Sequence, residues 1–274
     1  MINIGLIGYG PWGKNYEKTM NHMGLNFIIS TKNYEQDILK NKKIDGVIIA
    51  TPVSTHYEIA KKSLEYDKNV LVEKPFTSTS EQALDLLKIK GGNILMVGHL
   101  YLHHPAINSM KTLLGEANKI NWIEMTRLGG KENTNSLWDL GSHDLYILDY
   151  LFSQDPISIE SYESAECHKI VINYPEFYVN LKTSVKSKNK IRDIVISTNN
   201  GIISFDDTRK NKLIHIKRSG EVDIIDLDER ITPLEKQIKG FIHSIESKET
   251  PFNNGLRGLK NIRILEKINK IRNE

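Results

Sequence analysis

Residues 2–13, INIGLIGYGPWG, decide the fold of the first half of the chain, because three glycines, Gly8, Gly10 and Gly13, follow a short apolar run. The β-branched run is typical of a buried parallel strand, and a helical pattern follows from about Lys14 to Met23. The first glycine permits the tight bend, the second lets a pyrophosphate approach the backbone, and the third allows close packing of helix and strand. The N–H groups at the helix start then face the diphosphate. The stretch therefore predicts a dinucleotide-binding turn.

The alternation of strand and helix that begins there continues to about residue 98. Further strands are predicted at residues 26–30, 45–52, 69–73 and 93–98, with helices at 36–41, 56–66 and 79–90. Strand and helix repeated this often indicate a parallel sheet covered on both faces. We therefore expect an α/β, Rossmann-type domain over residues 1–118.

From about Lys119 the pattern changes to consecutive strands separated by short turns. These strands are predicted at residues 120–126, 157–162, 168–172, 178–185, 193–197, 201–205, 212–217 and 221–225. Strands in this order form a mostly antiparallel sheet. Residues 119–274 are therefore predicted to form an α+β domain for substrate binding and oligomerisation, whose last helices are candidates for packing back on the first domain.

The end of the second strand carries Ser30, Thr31 and Lys32, where NAD-specific domains place the acidic residue that binds the ribose 2′-hydroxyl. Hydroxyl groups followed by a cation suit a 2′-phosphate better than a carboxylate would. The sequence therefore predicts NAD or NADP as the cofactor and slightly favours NADP. The other interpretation is that Lys32 is simply solvated.

Beyond the glycine turn, a set of short segments in a fixed order resembles the Gfo/Idh/MocA family of oxidoreductases. The segments are ATP at 50–52 followed by TH at 55–56, EKP at 73–75, VGH at 97–99, HPA at 104–106, LWDLGSHD at 137–144, and the closing helices that begin at PLE 233–235 and GLR 255–257. The resemblance covers nearly the whole chain and implies nicotinamide-dependent hydride transfer. The chain departs from the family between residues 32 and 50, where a short connection replaces a longer one beside the adenosine pocket.

The resemblance implies three catalytic residues. The lysine of Glu-Lys-Pro, here Lys74, lies in the family near the nicotinamide and the substrate hydroxyl. The family's aspartate and histidine four residues apart are matched by Asp139 and His143, which share one face if residues 138–151 are helical. Histidine titrates near neutral pH, so His143 is a natural general base, and Asp139 either orients it or binds a neighbouring hydroxyl. Whether Lys74 or His143 accepts the proton stays open.

The remaining predicted site residues fall into a cofactor group and a substrate group. The cofactor group lies in the glycine turn and at strand ends, and comprises Gly8, Gly10, Pro11, Trp12, Gly13, Ser30, Thr31, Lys32, Thr51, Pro52, His56, Glu73 and Lys74. The substrate group, carried by the resemblance, comprises His99, Tyr101, Arg127 and Asp144. The alternative for Arg127 is an ion pair, and for Asp144 a structural carboxylate. His99, His103 and His104 lack the cysteine or spaced carboxylates of a zinc site, so no metal is predicted.

Composition excludes several classes of protein. A formal charge of +3 is too weak to argue for nucleic acid, and no apolar run approaches the roughly 20 residues of a membrane helix. The N-terminus enters a strand directly, and the single cysteine, Cys167, fits a reducing compartment. We therefore expect a cytoplasmic protein with a small-molecule substrate and no nucleic-acid or membrane partner. A homo-oligomer through the C-terminal sheet is expected on the resemblance.

The segments at 97–99 and 137–144 look most like family members that act on nucleotide sugars for surface polysaccharides. The function predicted is therefore hydride transfer at a ring hydroxyl or keto carbon of a sugar. One alternative is a free-sugar or cyclitol dehydrogenase. An alternative of another class is a non-catalytic ligand sensor or complex subunit on the same fold. The sequence does not give the sugar, the carbon, the direction of the reaction or the number of subunits.

Overall fold

The computed structural model describes residues 2–117, 119–130, 134–164, 167–208, 212–228 and 230–273, and the chain divides into two compact units. The first comprises Met1–Leu100 and Thr232–Arg263, and the second Tyr101–Ile231 and Ile264–Glu274. The strands are β1 Asn3–Ile7, β2 Asn26–Ser30, β3 Gly46–Ile49, β4 Asn69–Glu73, β5 Leu95–Gly98, β6 Ile120–Leu128, β7 Ser158–Glu163, β8 His168–Asn173, β9 Tyr178–Ser184, β10 Ile191–Thr198, β11 Gly201–Asp206, β12 Lys212–Lys217 and β13 Val222–Asp226. The α-helices are α1 Pro11–His22, α2 His56–Glu65, α3 Ser80–Ile89, α4 Pro105–Glu116, α5 Ser142–Phe152, α6 Pro233–Ser247 and α7 Gly255–Asn273. Two π-helical turns, Glu35–Leu39 and Leu137–Gly141, complete the elements used below.

The first unit is built on a parallel sheet with the strand order β2-β1-β3-β4-β5. Every residue of β3, β4 and β5 is buried, as expected of a sheet covered on both faces. Strand β1 pairs with β2 on one side and with β3 on the other, so the order of the strands reverses there. Open parallel sheets bind ligands beyond the carboxyl ends of the strands at such a reversal. The predicted Rossmann sheet is confirmed.

Helix α6, from the far end of the chain, packs in this first unit. Its side chains Phe241 and Ile245 lie over the start of β3, where a Cβ on Gly46 would come within 2.8 Å of Ile245 and 3.0 Å of Phe241. The missing side chain therefore lets α6 approach the sheet closely. The helix begins with a complete capping box between Thr232 and Glu235, which fixes its first turn.

The second unit contains an eight-stranded sheet with the order β13-β12-β11-β10-β6-β9-β8-β7. All neighbouring strands are antiparallel except β6 and β9, which run parallel. Burial alternates along β10, so one face of the sheet is packed and the other is more exposed. The π-helical turn at Leu137–Gly141 lies on the packed face, because a Cβ on Gly141 would come within 3.5 Å of the Thr183 side chain on β9. The predicted, mostly antiparallel sheet is confirmed.

Helix α4 belongs to the second unit, although the boundary predicted from the sequence, after residue 118, would assign it to the first. The reason is local packing. Tyr150 on α5 donates a hydrogen bond to the Asn108 side chain at 2.7 Å, and Asn200 donates to the carbonyl of Glu116 at 3.1 Å. Within the described ranges, none of the helices is long and apolar enough to cross a membrane.

Candidate functional site

The glycine turn joins β1 to α1, and each glycine meets a different steric demand. Gly8 has a φ of +100°, and a Cβ there would lie 2.6 Å from the carbonyl oxygen of Ala50. A Cβ on Gly13 would overlap the carbonyl oxygen of Gly8, so this glycine lets α1 start against the turn. A Cβ on Gly10 would meet nothing within 4 Å, which leaves the backbone open on that side. No side chain caps α1 at Gly10 and its first turn has no acidic residue, so a diphosphate would meet free N–H groups there.

A cavity of about 250 Å³ opens beside this turn. It is lined by residues from the turn and from the ends of β3 and β4, namely Gly8, Tyr9, Gly10, Pro11, Trp12, Ala50, Thr51, Pro52, Glu73 and Lys74. The structure thus gathers most of the predicted cofactor residues around one space, at the edge of the sheet where parallel strands bind ligands.

The end of β2 differs from what its own residues predict. The carbonyl of Ser30 accepts a hydrogen bond from the N–H of Gly8 at 3.1 Å, so this strand end abuts the glycine turn. The Ser30 hydroxyl donates to the carboxylate of Asp37 at 2.7 Å, while Thr31 and Lys32 are exposed. A carboxylate therefore does lie at the end of β2. Sequence reasoning missed it because Asp37 belongs to the following π-helical turn.

Lys74 follows β4 and is half-buried, and its backbone is held by the neighbouring Glu73. Its N–H donates to the Glu73 carboxylate at 3.2 Å, and the other oxygen of that carboxylate accepts from the Tyr16 hydroxyl at 2.6 Å. Gln237 of α6 donates to the same hydroxyl at 2.7 Å. Burial raises the pKa of Glu73, and it raises the pKa of Tyr16 well above its usual value. Tyr16 and Gln237 were not predicted from the sequence.

His56 connects the segment that follows β3 to the segment that follows β4. Its Nδ1 is 2.8 Å from the carbonyl oxygen of Pro75, and its Nε2 is 2.9 Å from that of Thr51. The ring is 1% exposed, and burial lowers its pKa. His56 is thus placed to hold together the segments that follow β3 and β4, and its assignment to the cofactor group stays a prediction.

His99 follows β5 and is 3% exposed. Burial, and secondarily the positive charge of Lys74, hold its pKa well below the usual range, so the ring is neutral at physiological pH. A neutral imidazole next to Lys74 adds no second positive charge to this part of the unit. The lack of a side chain at Gly98 leaves room for the Glu73 carboxylate, because a Cβ at position 98 would lie 3.0 Å from it.

In the second unit, Tyr101 connects His143 to a buried ion pair. The rings of Tyr101 and His143 are in edge-to-face contact with centroids 5.1 Å apart. The guanidinium of Arg127 lies 4.1 Å from the centre of the Tyr101 ring and pairs with Asp144. The Tyr101 hydroxyl donates to Asp207 at 2.7 Å. The ion-pair alternative for Arg127 is therefore the one that the structure contains.

Asp144 is fully buried against Arg127, which agrees with the structural role weighed for it. Burial raises the pKa of Asp144, while the charge of Arg127 opposes that shift. Arg127 is 2% exposed, and its charge is held by Asp144 rather than presented to solvent. Arg127 thus packs against the Tyr101 ring, and Asp144 holds Arg127 in place. Asp207 was missed because its contact with Tyr101 spans 106 positions.

Asp139 lies on the π-helical turn and His143 on the first turn of α5. The π-helical start differs from the single α-helix predicted over residues 138–151. A separation of four positions is about one turn in either geometry, so the two side chains emerge on similar sides of the element. The Thr134 hydroxyl donates to Asp139 at 3.4 Å. Across the described ranges, no group of three or more His, Cys, Asp or Glu residues is placed to hold a metal ion.

A parallel sheet with a glycine-rich turn, together with an open, mostly antiparallel sheet, defines the class of two-unit dinucleotide-binding proteins. Residues 22–99 match the Gfo/Idh/MocA model, an oxidoreductase family with an NAD-binding Rossmann fold. The UDP-N-acetylglucosamine 3-dehydrogenase of Acidithiobacillus ferrooxidans is 29% identical over 125 residues, 43% of this chain and 39% of that protein. The scyllo-inositol 2-dehydrogenase (NAD(+)) of Bacillus subtilis is 33% identical over 151 residues, 51% of this chain and 42% of that protein.

These alignments span only about two fifths of the length of the curated relatives. Solved structures match over nearly the whole chain. The Acidithiobacillus enzyme superposes with a TM-score of 0.88 at 22% identity, covering 98% of this chain and 97% of that one. An inositol dehydrogenase homologue from Azotobacter vinelandii, complexed with NADH and myo-inositol, gives 0.85 at 15% identity, covering 98% and 95%. Residues 22–99 are thus similar to the Gfo/Idh/MocA family model, and the likeness to these solved structures shows the same fold.

Proposed function

We propose that this protein is an NAD(P)-dependent dehydrogenase or reductase acting on a ring hydroxyl or keto carbon of a sugar, in particular a nucleotide sugar used for surface polysaccharide. The observation that carries the proposal is the cavity beside the glycine turn, which has Lys74 in its wall. The name of the Acidithiobacillus relative, UDP-N-acetylglucosamine 3-dehydrogenase, supports a nucleotide sugar as substrate.

The residues around the cavity fit a nicotinamide dinucleotide. The open backbone at Gly10 and the uncapped N-terminus of α1 suit a diphosphate, and they would hold it through N–H groups. Thr51, Pro52 and Lys74 line the part of the cavity formed by the ends of β3 and β4. When bound, the nicotinamide supplies or accepts the hydride.

Lys74 and His143 are the proposed proton-transfer residues. The Lys74 ammonium can donate a hydrogen bond to the oxygen of the substrate hydroxyl. It can thereby stabilise the negative charge that develops on this oxygen as the hydroxyl loses its proton. The backbone N–H of Lys74 is held by the Glu73 carboxylate. His143 can accept or return a proton, and the Tyr101 ring packs against one side of its imidazole. Asp139 orients the imidazole or holds a neighbouring substrate hydroxyl.

A cyclitol is a second candidate substrate. It is favoured by the inositol relative from Bacillus subtilis, whose alignment is longer and 33% identical. Both substrates present a secondary ring hydroxyl, so the proposed proton transfer is the same for both. The two candidates are separated by following nicotinamide absorbance with a panel of nucleotide sugars and a panel of inositols.

The His143→Ala variant tests whether the protein is an enzyme. We expect its turnover to fall by roughly 10²-fold or more while NADH binding, followed by calorimetry, is retained, because a general base contributes to the chemical step and not to cofactor affinity. His243→Ala is the control, since His243 is an exposed histidine on α6. Unchanged turnover in His143→Ala would remove this residue from the mechanism. Absence of turnover in the unmodified protein with every substrate would favour the ligand-sensor alternative.

A further inference from the structure

A carboxylate stands at the end of β2, where the sequence of the strand itself has none. Asp37 Oδ2 accepts the hydrogen bond of the Ser30 hydroxyl at 2.7 Å. Ser30 is the last residue of β2, and its carbonyl is bonded to Gly8 of the dinucleotide turn. The Asp37 carboxylate is therefore bonded directly to the last residue of β2, and that residue is bonded to the dinucleotide turn. In dinucleotide-binding sheets the acidic residue that binds the adenosine ribose is found at this place.

The π-helical turn Glu35–Leu39 holds Asp37 in position. Ile38 is fully buried, and its side chain occupies the space over β1 that a Cβ on Gly5 would need. Glu35 accepts hydrogen bonds from Lys62 at 3.2 Å and from Tyr66 at 2.8 Å, both contributed by the α2 region. The turn is thus anchored on either side of Asp37. The backbone that carries Asp37 is therefore held by these contacts, and its carboxylate is held by the Ser30 hydroxyl.

We propose that Asp37 binds the 2′-hydroxyl of the adenosine ribose and thereby makes the site select NAD(H) over NADP(H). This rests on the proposed function and reverses the slight preference for NADP that Ser30, Thr31 and Lys32 suggested. Among the described residues, Ser30 is the hydrogen-bond partner of the Asp37 side chain, through Oδ2, which leaves Oδ1 to accept from a ribose hydroxyl. Asp37 is itself exposed, so a ligand can reach it.

The negative charge of Asp37 is what distinguishes NAD(H) from NADP(H). A phosphate monoester on the ribose carries about −1.5 to −2 charges near neutral pH, and it cannot donate the hydrogen bond that the hydroxyl provides. Placed against Asp37, it would meet a fixed carboxylate of the same sign. Lys32 could offset this only from an exposed position, where the attraction is weakened by water and salt. The fixed carboxylate therefore decides the preference.

The test is a calorimetric titration of the full chain with NADH and, separately, with NADPH. We expect the unmodified protein to bind NADH more tightly. Asp37→Asn should weaken NADH binding roughly tenfold, because a charge-assisted hydrogen bond becomes a neutral one, and it should tighten NADPH binding by removing the repulsion. Asp37→Ser should move both affinities in the same directions.

Asp85→Asn is the matched control, since Asp85 also accepts a hydrogen bond from a hydroxyl, that of Tyr57 at 2.7 Å, in the same unit. It should leave the ratio of the two affinities unchanged. Tighter binding of NADPH by the unmodified protein, or an unaltered ratio in both Asp37 variants, would overturn the assignment to Asp37 while leaving the proposed dehydrogenase intact. Failure of folded, unmodified protein to bind either cofactor would overturn the dinucleotide site itself.

Discussion

His99 illustrates how one buried residue ties the candidate site to the stability of the protein. It lies directly after β5, is 3% exposed, and has a pKa held well below the usual range by burial and by the charge of Lys74. In the unfolded chain the same imidazole titrates near its ordinary pKa of 6.5. Below that pH the unfolded state binds a proton that the folded state does not accept. Acid therefore favours unfolding, and this contribution to stability is lost as the pH falls from 6.5 towards the folded-state pKa.

We expect the free energy of unfolding to fall between pH 6.5 and 5, by about 1.4 kcal/mol per pH unit for each such histidine. His99→Gln should show a shallower dependence by about one proton, measured by denaturant unfolding at several pH values. His56, whose pKa burial also lowers, remains in both proteins. His243→Gln controls for the loss of a histidine as such, because His243 is exposed. An identical pH dependence in His99→Gln and the unmodified protein would contradict this account.

At the scale of elements, the backbone of Lys74 is held by a hydrogen-bond network that joins α1, α6 and the end of β4 at the Tyr16 hydroxyl. Tyr16 of α1 donates to Glu73 at the end of β4 and accepts from Gln237 of α6. All three side chains are buried, so each hydrogen bond replaces contacts with water that folding removes. Helix α6, which is distant in the sequence, is thereby connected to the segment that contains Lys74. A change in α1 or α6 can thus alter the site without touching its lining.

Tyr16→Phe tests this arrangement. Removal of the hydroxyl leaves Glu73 and Gln237 buried with one partner fewer, so we expect a loss of about 1–3 kcal/mol in unfolding free energy and weaker NADH binding. Tyr57→Phe is the control, because it removes a hydroxyl–carboxylate bond at a partly exposed place, with Asp85. It should cost under about 1 kcal/mol and leave NADH binding unchanged. Equal effects of the two substitutions would show that the buried hydroxyl has no special role.

The elements themselves could largely be predicted from the sequence. The strands of both sheets lie within a few residues of their predicted bounds, because apolar runs, alternation and glycine turns are local signals. The two π-helical turns could not be predicted, since periodicity does not separate them from α-helix. The contact between Asp37 and Ser30 was missed for a different reason. It depends on Ile38 packing over Gly5, which is a tertiary contact and not a pattern in the sequence.

At the scale of the whole molecule, contacts between distant parts of the chain set the limit of prediction. Tyr16 and Gln237 are 221 positions apart, and Tyr101 and Asp207 are 106 apart. Neither pair follows from spacing or residue type. The motif residues Lys74, Asp139 and His143 were named through the resemblance, while the groups that hold them in place came only from the structure. The supporting side chains are therefore the part of the site that a single sequence does not reveal.

The second sheet also presents an apolar face that bears on assembly. Ile202 on β11 pairs with Ile216 on β12, and Ile216 pairs with Val222 on β13, so the three side chains point to the same face. They are 36%, 40% and 53% exposed, and Ile224, two positions beyond Val222 and 57% exposed, extends the row. A contiguous apolar row of this kind is typical of a protein interface. We propose that copies of this chain associate through this face as a homo-oligomer.

Ile216→Lys places a charge in the middle of this row, where burial against a second copy would leave it without a partner. Because an unpaired buried charge costs several kcal/mol, we expect the oligomer to dissociate to a species near the chain mass of 31.4 kDa. Light scattering coupled to size-exclusion chromatography measures this directly. Leu256→Lys is the control, since Leu256 is 64% exposed in the first unit and should leave the assembly unchanged. A monomeric unmodified protein, or dissociation by Leu256→Lys and not by Ile216→Lys, would contradict association through the sheet.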